Sequence, residues 1–363
     1  MGAWVAAEAA RRADPLRAPV VLLEAGGLEA VAPAMATVTP GREEDGPLRP
    51  ALIDGARVLE QFEVNVGRGI GFGRPGWVQL DGSAPGHDMK APAFALGLEE
   101  SDLATASWNR EAGLFDPARL HTEVLSLGRT RGLVTRPGTH VEQIRSEGGQ
   151  TIGLETDRGR FDAEIVLITD PEVAHRLLPE LASRLRTKDR FELRFKSNLF
   201  ETSMSPVGTI RGSAQELYDM GTDPESLDAF FGGGESLEYP HPAVSTDHLD
   251  IFPDALSSEL VVGSWEPSNI TKLRTELAAI ALVFRDLGAE GKSRRISITS
   301  ESSGVPLVGE VAPGLFVALG LGLRAAQLAA GLAPGVVALM HKEPVAAFDP
   351  GLLAPGATRR GQS

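Results

Sequence analysis

The stretch MGAWVAAEAARR (residues 1–12), followed by APVVLLEAGG (residues 18–27), decides the fold. Apolar residues recur at helical spacing over residues 2–12 and predict an amphipathic helix, which the following Asp-Pro pair ends. The apolar run Val20–Leu23 is typical of a parallel strand that is buried on both faces. A helix followed by such a strand is half of a βαβ unit, and no strand precedes the helix in this sequence.

The two ends of this unit carry residues that suit a dinucleotide. In a dinucleotide-binding βαβ unit, glycines let the backbone approach the pyrophosphate, and an acidic residue ending the second strand accepts hydrogen bonds from the ribose. Gly2 and Glu24 are 22 residues apart, close to the expected separation of about 20. The sequence predicts that Gly2 is the last glycine of a G-x-G-x-x-G turn and that Glu24 contacts the ribose. The alternative is that Gly2 has no such role and that Glu24 is a solvated charge.

The absent first strand has a physical consequence. In a doubly wound sheet this strand lies in the middle, so its absence exposes two inner strand edges with unpaired amide groups. We therefore expect another strand, from this chain, from a partner or from residues before Met1, to fill the gap.

Composition limits the class of protein. The chain has 363 residues, of which 42% are hydrophobic and 23% charged, enough for a large core in one large or two interlocked domains. The formal net charge of −14 argues against nucleic acid as a partner, because phosphate neutralisation needs clustered Lys and Arg. The absence of cysteine excludes disulfides, thiolate nucleophiles and a cysteinyl bond to a cofactor.

Membrane and metal sites are also not expected. The most apolar region, residues 315–340, is interrupted by Arg324, Gln327 and Pro334, so we expect no membrane span. The seven histidines show no metal-ligand spacing, and no metal site is predicted. A cytoplasmic location is expected.

Periodicity and turn residues predict the remaining elements. Helices are expected over residues 51–62 and 116–132, the second with Asp116 as its N-cap and Pro at its first position. LVTRPG, THVEQIRSEGG and QTIGLETDRG predict the short strands of a β-meander, after which FDAEIVLITD returns as a parallel strand. Residues 190–270 predict an antiparallel sheet, and a helix over residues 269–288 is expected to end at Gly288.

These elements predict a mixed α/β fold. A Rossmann-like dinucleotide-binding domain, which carries the β-meander, is expected to be discontinuous and to comprise residues 1–45, 115–188 and 296–345. A second domain, built on an antiparallel sheet and holding the substrate, is expected over residues 46–114 and 189–295. Residues 346–363 are expected to form a flexible C-terminal tail.

The order of five segments carries a family resemblance, and one of them, ALIDGARVLEQF…GFGRPGWVQL, looks like a helix followed by a G-x-L strand. MGAWVAAEAARR…VVLLEAG is similar to a dinucleotide helix and second strand, and AGLFDPARLHTEVLSLGRTRG is similar to a G-x-x-D-P-x-x-L helix. IGLETDRGRFDAEIVLIT looks like G-V-x-T-x-x-G-x-x-x-A-D-x-V-V, and GVPLVGEVAPGLFVALGLGL looks like G-x-P-x-I-G…G-L-x-V-A-x-G-H-G. In this order, from Gly2 to about Met340, the chain resembles the FAD-dependent D-amino-acid oxidase superfamily, which contains glycine oxidase and sarcosine oxidase.

The resemblance implies a FAD-dependent oxidoreductase that oxidises an amino acid or a secondary amine by hydride transfer to flavin. It implies non-covalent FAD, a small amine or amino acid as partner, and leaves homo- or hetero-oligomers open. The residues that it places at the cofactor are Gly2, Glu24, Ala25, Val141, Thr169, Gly320, Leu321 and Gly322. Core packing is the alternative for Val141, and tight strand-to-helix packing is the alternative for the two later glycines.

The resemblance assigns no catalytic side chain and indicates only three candidate contacts to the substrate. Tyr218, Tyr239 and Arg295 are candidates in the second domain. A phenol can hydrogen-bond a substrate carboxylate, but half-buried packing is the alternative for both tyrosines. A solvated charge at a strand edge is the alternative for Arg295.

Some positions depart from the family pattern and favour a second hypothesis. Asp170 stands in place of the glycine of a strand-end A-T-G, and GLGL (320–323) replaces G-H-G-G. Ile298 stands where the family often has an arginine that holds substrate carboxylates. The second hypothesis is a non-catalytic relative that no longer binds FAD and serves as a subunit or binding module.

Overall fold

The computed structural model combines α-helices with runs of consecutive strands. The structure describes residues 1–13, 19–26, 35–39, 43–66, 69–80, 107–109, 111–197, 243–246, 249–254, 259–265, 270–280, 284, 287–290 and 293–356. The α-helices are α1 (Gly2–Arg12), α2 (Arg49–Val66), α3 (Pro117–Thr130), α4 (Pro171–Leu177), α5 (Pro179–Ala182), α6 (Ile270–Ile280), α7 (Ala325–Met340) and α8 (Pro350–Leu353). The strands are β1 (Val21–Glu24), β2 (Ala36–Val38), β3 (Trp77–Gln79), β4 (Ser107–Asn109), β5 (Gly113–Phe115), β6 (Val134–Pro137), β7 (Val141–Glu147), β8 (Gln150–Thr156), β9 (Gly159–Asp162), β10 (Val166–Ile168), β11 (Leu185–Ser197), β12 (Ala243–Ser245), β13 (Leu249–Asp254), β14 (Glu259–Ser264), β15 (Leu287–Glu290), β16 (Arg294–Glu301), β17 (Leu307–Ala312) and β18 (Leu315–Leu319).

Parallel strands form the first layer in two separate pieces. β1 pairs in parallel with β6, and β10 pairs in parallel with β18, whose other neighbour is the antiparallel β17. Among the described residues no strand joins β1 to β10. Helix α1 begins beside this gap. A Cβ on Gly2 would lie 2.9 Å from Oγ1 of Thr169, which follows β10, and 3.4 Å from Cδ1 of Leu22, which belongs to β1. The gap therefore lies where a dinucleotide-binding sheet has its first strand.

The edge of β1 toward the gap presents backbone groups at every second residue. Val134 of β6 donates its amide hydrogen to the carbonyl oxygen of Val20 over 2.9 Å. In a parallel ladder alternate residues bond to the same neighbour. The amide and carbonyl groups of Val21 and Leu23 consequently point away from β6, toward the gap.

Helices α2 and α7 cross with their backbones in contact. A Cβ on Gly331 would lie 1.8 Å from the carbonyl oxygen of Ala51, and a Cβ on Gly55 would lie 2.1 Å from the carbonyl oxygen of Gln327. Glycine at both positions makes this approach possible. In the part of the chain that the structure describes, the segment Gly322–Met340 is the one helical stretch long and apolar enough to cross a membrane, and most of it is buried in the protein core.

Gln327 is a fully buried polar residue in the middle of apolar α7, with 0% of its surface exposed. Its Nε2 donates to the carbonyl oxygens of Thr39 (2.7 Å) and Leu52 (2.8 Å), and its Oε1 accepts from the amide nitrogen of Thr39 (3.1 Å). The side chain therefore joins α7 to α2 and to the residue after β2.

A second, mainly antiparallel sheet is built around the long strand β11. Its strand order is β15-β11-β14-β13-β12-β3-β4, and β16 also pairs with β11. One face packs on helix α6 through a group of buried apolar residues: Val78, Leu193, Phe195, Val244, Leu249, Ile251, Leu260, Val262, Leu273 and Leu277. Because side chains alternate along a strand, the other face carries Arg190, Glu192, Asp250 and Phe252.

Three predicted element boundaries differ in the structure. FDAEIVLITD does not form one strand: its first residues end β9, the third strand of the β7-β8-β9 meander, and its later residues form β10. LVTRPG contains β6, which pairs with β1 and not with the meander. Gly288 does not end a helix, because it lies in β15, which pairs with β11. Each difference arises from pairing with a strand that is distant in the sequence.

The division into two domains stays a prediction, and two placements differ from it. Helix α2, assigned to the second domain, contributes Leu52, Leu59 and Phe62 to the core that it forms with α1 and α7. In the expected flexible tail, Phe348 and Leu353 are buried against α7. Packing on this core buries the apolar side of α2 and these two side chains away from water, which stabilises the observed placement.

We predict that the free edge of β1 is covered by another strand in solution. The amides of Val21 and Leu23 should then exchange roughly 100-fold more slowly than an amide in an exposed turn. Hydrogen exchange resolved to single amides measures this, with Gly148 in the β7–β8 turn as the exposed reference. Equal exchange at Val21, Leu23 and Gly148 would show that the edge is open.

We predict that Gln327→Leu lowers the free energy of unfolding by about 2 kcal/mol, because it leaves the partly buried amide and carbonyl groups of Thr39 without this partner and removes the bond to the carbonyl oxygen of Leu52. Urea denaturation followed by circular dichroism measures the change. Gln143→Leu is the matched control, because Gln143 is exposed on β7, and it should change stability by less than about 0.5 kcal/mol. Equal effects of the two substitutions would contradict a joining role for Gln327.

Candidate functional site

The ends of three parallel strands carry predicted cofactor residues. Glu24 ends β1, Thr169 follows β10 and Gly320 follows β18. Carboxyl ends of parallel strands lie at one edge of a sheet, where ligands of open α/β folds bind. Gly2, packed between Leu22 and Thr169, brings the start of α1 to this edge.

The amino group of Met1 lies at the start of α1 and is buried. Burial lowers the pKa of this amino group from 8.0 to about 6, because the charged form loses its hydration. The first turn of α1 is regular, since the amide of Val5 donates to the carbonyl oxygen of Met1 over 3.1 Å. In a chain that begins at Met1, the helix therefore presents a largely neutral amine at neutral pH, beside Gly2.

Glu24 is held at the end of β1 by a histidine. Oε1 of Glu24 lies 3.1 Å from Nε2 of His121, and each side chain is about one fifth exposed. His121 belongs to α3, whose N-terminus Asp116 fixes by accepting hydrogen bonds from the amides of Ala118 and Arg119. Because His121 reaches Glu24 through one carboxylate oxygen, the carboxylate is oriented at the strand end.

The segment Gly320–Gly322 forms a turn after β18 that needs glycine. Gly320 has φ +74° and Gly322 has φ +67°, in the left-handed region that residues with a side chain rarely adopt. Leu321 between them forms a β-bridge with Ser300 of β16. A Cβ on Gly322 would meet only Cβ of Ser300, at 3.6 Å. Glycine is required at position 322 by the positive φ of the backbone and not by a lack of space for a side chain.

Glu301 supports this turn from the end of β16. A Cβ on Gly320 would lie 2.8 Å from the amide nitrogen of Glu301. Burial raises the pKa of Glu301, but hydrogen bonds from Ser303 and from Arg184 (Nε to Oε1, 3.2 Å) outweigh it, so the net shift is downward. The carboxylate therefore stays charged and anchors the backbone next to Gly320.

Asp170, the residue after Thr169, is the N-cap of helix α4. Its Oδ1 accepts hydrogen bonds from the amides of Glu172 (2.7 Å) and Val173 (3.3 Å), so it caps helix α4. The carboxylate is thus engaged with a helix N-terminus, where a negative charge is favourable. Asp170 therefore has a structural role at the start of α4.

The other predicted residues are distributed as follows. Ala25 lies half-buried after Glu24, and Val141 begins β7, where its carbonyl oxygen accepts a hydrogen bond from Arg176. Tyr218 and Tyr239 lie outside the described residues. No group of His, Cys, Asp or Glu suited to a metal occurs within the ranges that the structure describes.

Arg295 lies on the face of the second sheet that carries the α6 core. Its side chain is 67% exposed, and its Nη1 is 3.7 Å from Oδ2 of Asp189. Its neighbour Arg294 points to the other face and donates from Nη2 to Oε2 of Glu192 over 2.8 Å. The structure therefore gathers charged side chains on the face opposite Arg295, and Arg295 as a substrate contact stays a prediction.

Comparisons with known proteins assign the chain to a family. A model of the FAD dependent oxidoreductase family (DAO) matches residues 1–339. The chain belongs to this family. The predicted family and the mixed α/β fold are thereby confirmed, whereas no curated protein sequence matches the chain.

Solved structures share the fold of this chain over almost its whole length. Glycine oxidase from Geobacillus kaustophilus has a TM-score of 0.71 and 18% identity, with 99% of this chain and 96% of that chain covered. L-proline dehydrogenase from P. horikoshii has a TM-score of 0.68 and 14% identity, with 97% and 93% covered. Iminodiacetate oxidase from Chelativorans sp. BNC1 has a TM-score of 0.64 and 18% identity, with 97% and 96% covered. At these identities the likeness concerns the fold.

Sequence reasoning missed two features of the structure. The His121–Glu24 contact joins residues 97 positions apart, and spacing gives no signal for it. Arg190 and Glu192 did have a signal, because in RFELRF (190–195) charged residues alternate with apolar ones. This alternation predicts a strand with one charged face.

We predict that a chain beginning at Met1 gains stability as the pH rises from 6 to 8. The folded pKa of the amino group lies below the unfolded value, so the unfolded state binds more protons in this interval and stability rises with pH. The gain should be about 2 kcal/mol. Urea denaturation of the free and the Nα-acetylated chain at both pH values measures it.

The acetylated chain is the control, because it keeps every histidine and lacks the titrating amine. Its pH dependence should be weaker than that of the free chain. Parallel pH profiles of the two forms would mean that the amino group is solvated.

Proposed function

We propose that this protein is a FAD-dependent oxidoreductase that oxidises an amino acid or a secondary amine. One observation carries the proposal: Gly2, Glu24, Thr169 and the Gly320–Gly322 turn lie at the carboxyl ends of the parallel strands or at the start of α1. This is the edge at which open α/β sheets bind dinucleotides. Family membership and the amine- or amino-acid-directed names of the structural neighbours support the reaction class.

The described residues fit parts of a FAD molecule. The Glu24 carboxylate, oriented by His121, would accept hydrogen bonds from ribose hydroxyls. Gly320 and Gly322 would let the backbone approach the flavin. The N-terminus of α7, which carries the positive end of the helix dipole, follows this turn directly. The Oδ1 atom of Asp170 is directed to the first amides of α4, which favour its negative charge. Non-covalent binding is part of the proposal.

The chemistry divides between the cofactor and the protein. Bound FAD supplies the acceptor for a hydride from the carbon beside the amine. The chain binds and orients: Glu24 at the sugar, the glycine turn at the ring and the charged face of the second sheet toward the first layer. No described side chain is assigned as an acid or a base, since this reaction needs little proton transfer from the protein.

One observation favours the second candidate, a non-catalytic family member. The described residues leave β1 and β10 unjoined, and a phosphate-binding turn normally connects the first strand to α1. A chain in which the gap stays open would lack part of the pyrophosphate site. It would then act as a binding module or subunit that shares the fold.

We predict that the purified chain binds FAD and that substrate amines reduce the bound flavin. Oxidised flavin absorbs near about 450 nm, and anaerobic addition of a substrate amine should remove this band. Glu24→Gln should weaken FAD binding about tenfold or more, because the charge-assisted hydrogen bonds to the ribose are weakened. Fluorescence titration with FAD measures the dissociation constant without turnover.

Glu147→Gln is the control, because Glu147 is an exposed carboxylate that ends β7. It should bind FAD as the wild type does. A colourless protein that takes up no added FAD would favour the non-catalytic candidate, and a flavoprotein that no amine reduces would point to another reductant.

A further inference from the structure

The chain turns back sharply after helix α7. The backbone of Lys342 has φ +57°, in the left-handed region that a residue with a side chain rarely adopts. The amide of Lys342 donates to the carbonyl oxygen of Leu339 (3.0 Å), and the amide of Glu343 donates to that of Ala338 (2.8 Å). These two bonds close the end of the helix and return the following residues to its surface.

Residues 345–355, which we call the C-terminal strap, are packed on the core of the first layer. Phe348 is 5% exposed and Leu353 is 0% exposed, and both belong to the core that contains Val308 of β17. A Cβ on Gly335 of α7 would lie 2.6 Å from Cε1 of Phe348, so this ring lies against the backbone of the helix. The strap is therefore held by two buried apolar anchors.

The end of the strap lies on strand β17, the neighbour of β18. A Cβ on Gly309 of β17 would lie 2.8 Å from Cδ of Pro355 and 3.6 Å from Cα of Ala354. Because Gly309 has no side chain, Pro355 packs directly on the strand. Gly309 is opposite Val317 of β18, and β18 leads into the Gly320–Gly322 turn. The strap thus ends on the strand pair that carries this turn.

Arg184 joins the end of the strap to the end of β16. Its Nη1 donates to the carbonyl oxygen of Pro355, and its Nε donates to Oε1 of Glu301 over 3.2 Å. Its own carbonyl oxygen accepts a hydrogen bond from the amide of Ser302 over 2.9 Å. The donors of a guanidinium group point in more than one direction, so one side chain can hold both acceptors at once.

Glu301 carries the contact from Arg184 to the glycine turn. Its amide donates to the carbonyl oxygen of Gly320 over 3.4 Å. Its side chain is 3% exposed, whereas that of Arg184 is 27% exposed. Removing one partner of a buried ion pair leaves a buried charge without compensation, which costs far more than losing an exposed pair. Loss of Arg184 from Glu301 would therefore disturb the residue that supports Gly320.

We propose that the C-terminal strap holds the Gly320–Gly322 turn in the conformation that binds FAD, with Arg184 as the positioning residue that transmits the contact. The inference rests on the proposed function and adds a means of regulation to it, because any event that lifts the strap lowers the affinity for FAD. Linkage requires the reverse effect, so bound FAD holds the strap in place. Arg184 acts through Glu301.

The first test detaches the strap at a position remote from the turn. Leu353→Ala removes a fully buried anchor and should weaken FAD binding about tenfold, measured by fluorescence titration of the full chain. Leu352→Ala makes the same chemical change at the neighbouring residue, which is 49% exposed, and should bind FAD as the wild type does. An unchanged dissociation constant in Leu353→Ala would overturn the proposal.

A further control separates the strap from a general loss of stability. Leu273 is 0% exposed in α6 and belongs to the core of the second sheet. Leu273→Ala removes the same number of buried atoms far along the chain from the strap, and it should leave FAD affinity unchanged under conditions in which the variants are folded. Equal weakening by Leu273→Ala and Leu353→Ala would overturn a specific role for the strap.

A double-mutant cycle tests whether the strap acts through Arg184. Arg184→Gln should weaken FAD binding to about the same extent as Leu353→Ala, and the double variant should bind little more weakly than either, because both substitutions break one link. Arg186→Gln, at an exposed position of β11, is the matched control and should bind FAD as the wild type does. Fully additive effects would show that Arg184 does not transmit the contact.

Hydrogen exchange gives the reciprocal measurement and covers a failure of Arg184→Gln to fold. Added FAD should slow exchange about fivefold or more at the amide of Leu352, which donates to the carbonyl oxygen of Asp349 over 3.1 Å. In the chain without FAD, Leu353→Ala should speed exchange at the amide of Glu301 about tenfold. An unchanged Glu301 amide would overturn the proposal, because the strap would then not reach the turn.

The outcomes separate this inference from the proposed function. If the chain takes up no FAD while the Glu301 amide responds to Leu353→Ala, the coupling of the strap to the turn stands and the proposed function fails. If amines reduce bound FAD while Leu353→Ala changes neither the FAD affinity nor the exchange at Glu301, the proposed function stands and the coupling fails.

Discussion

Helix α1 has to start within van der Waals distance of two strand systems at once, and the rest of the site depends on this constraint. Gly2 has Leu22 of β1 on one side and Thr169, after β10, on the other. A larger residue would push α1 away from the sheet, because a Cβ would already lie 2.9 Å from the Thr169 hydroxyl. The contact fixes where the carboxyl ends of the strands meet, and so places Glu24 and the glycine turn on a common edge. It also buries the amino group beside it, whose charged form is destabilised as a result.

Local signals in the sequence predicted local structure well. Asp116 before a proline predicted a helix start, and its side chain accepts hydrogen bonds from the two amides that an N-cap should satisfy. The helical spacing of residues 2–12 and the carboxylate after the apolar run gave α1 and the end of β1. These features depend on neighbours within a few residues, which periodicity and capping chemistry describe directly.

Features that depend on distant pairing were not predictable in the same way. Gly288 follows a helical pattern, as a C-terminal glycine does, yet β15 contains it because β11 offers a partner. The contact of His121 with Glu24 requires α3 to pack next to β1, and no spacing rule connects them. For Arg190, alternation in β11 predicts one charged face, but only the register with β13 and β14 shows that Asp250 and Gly263 lie beside it.

Strand β16 connects the charged face of the second sheet to the Gly320–Gly322 turn. Its residue Ile296 is opposite Arg190, and its residue Ser300 contacts the glycine turn. These positions are four residues apart, which in an extended strand is about 13 Å. Because β16 is extended and pairs with β11 over its whole length, this distance is set by the backbone and not by side chains. A one-residue slip in the register of β16 against β11 would turn all its side chains to the opposite face, so this separation depends on the register that the structure shows.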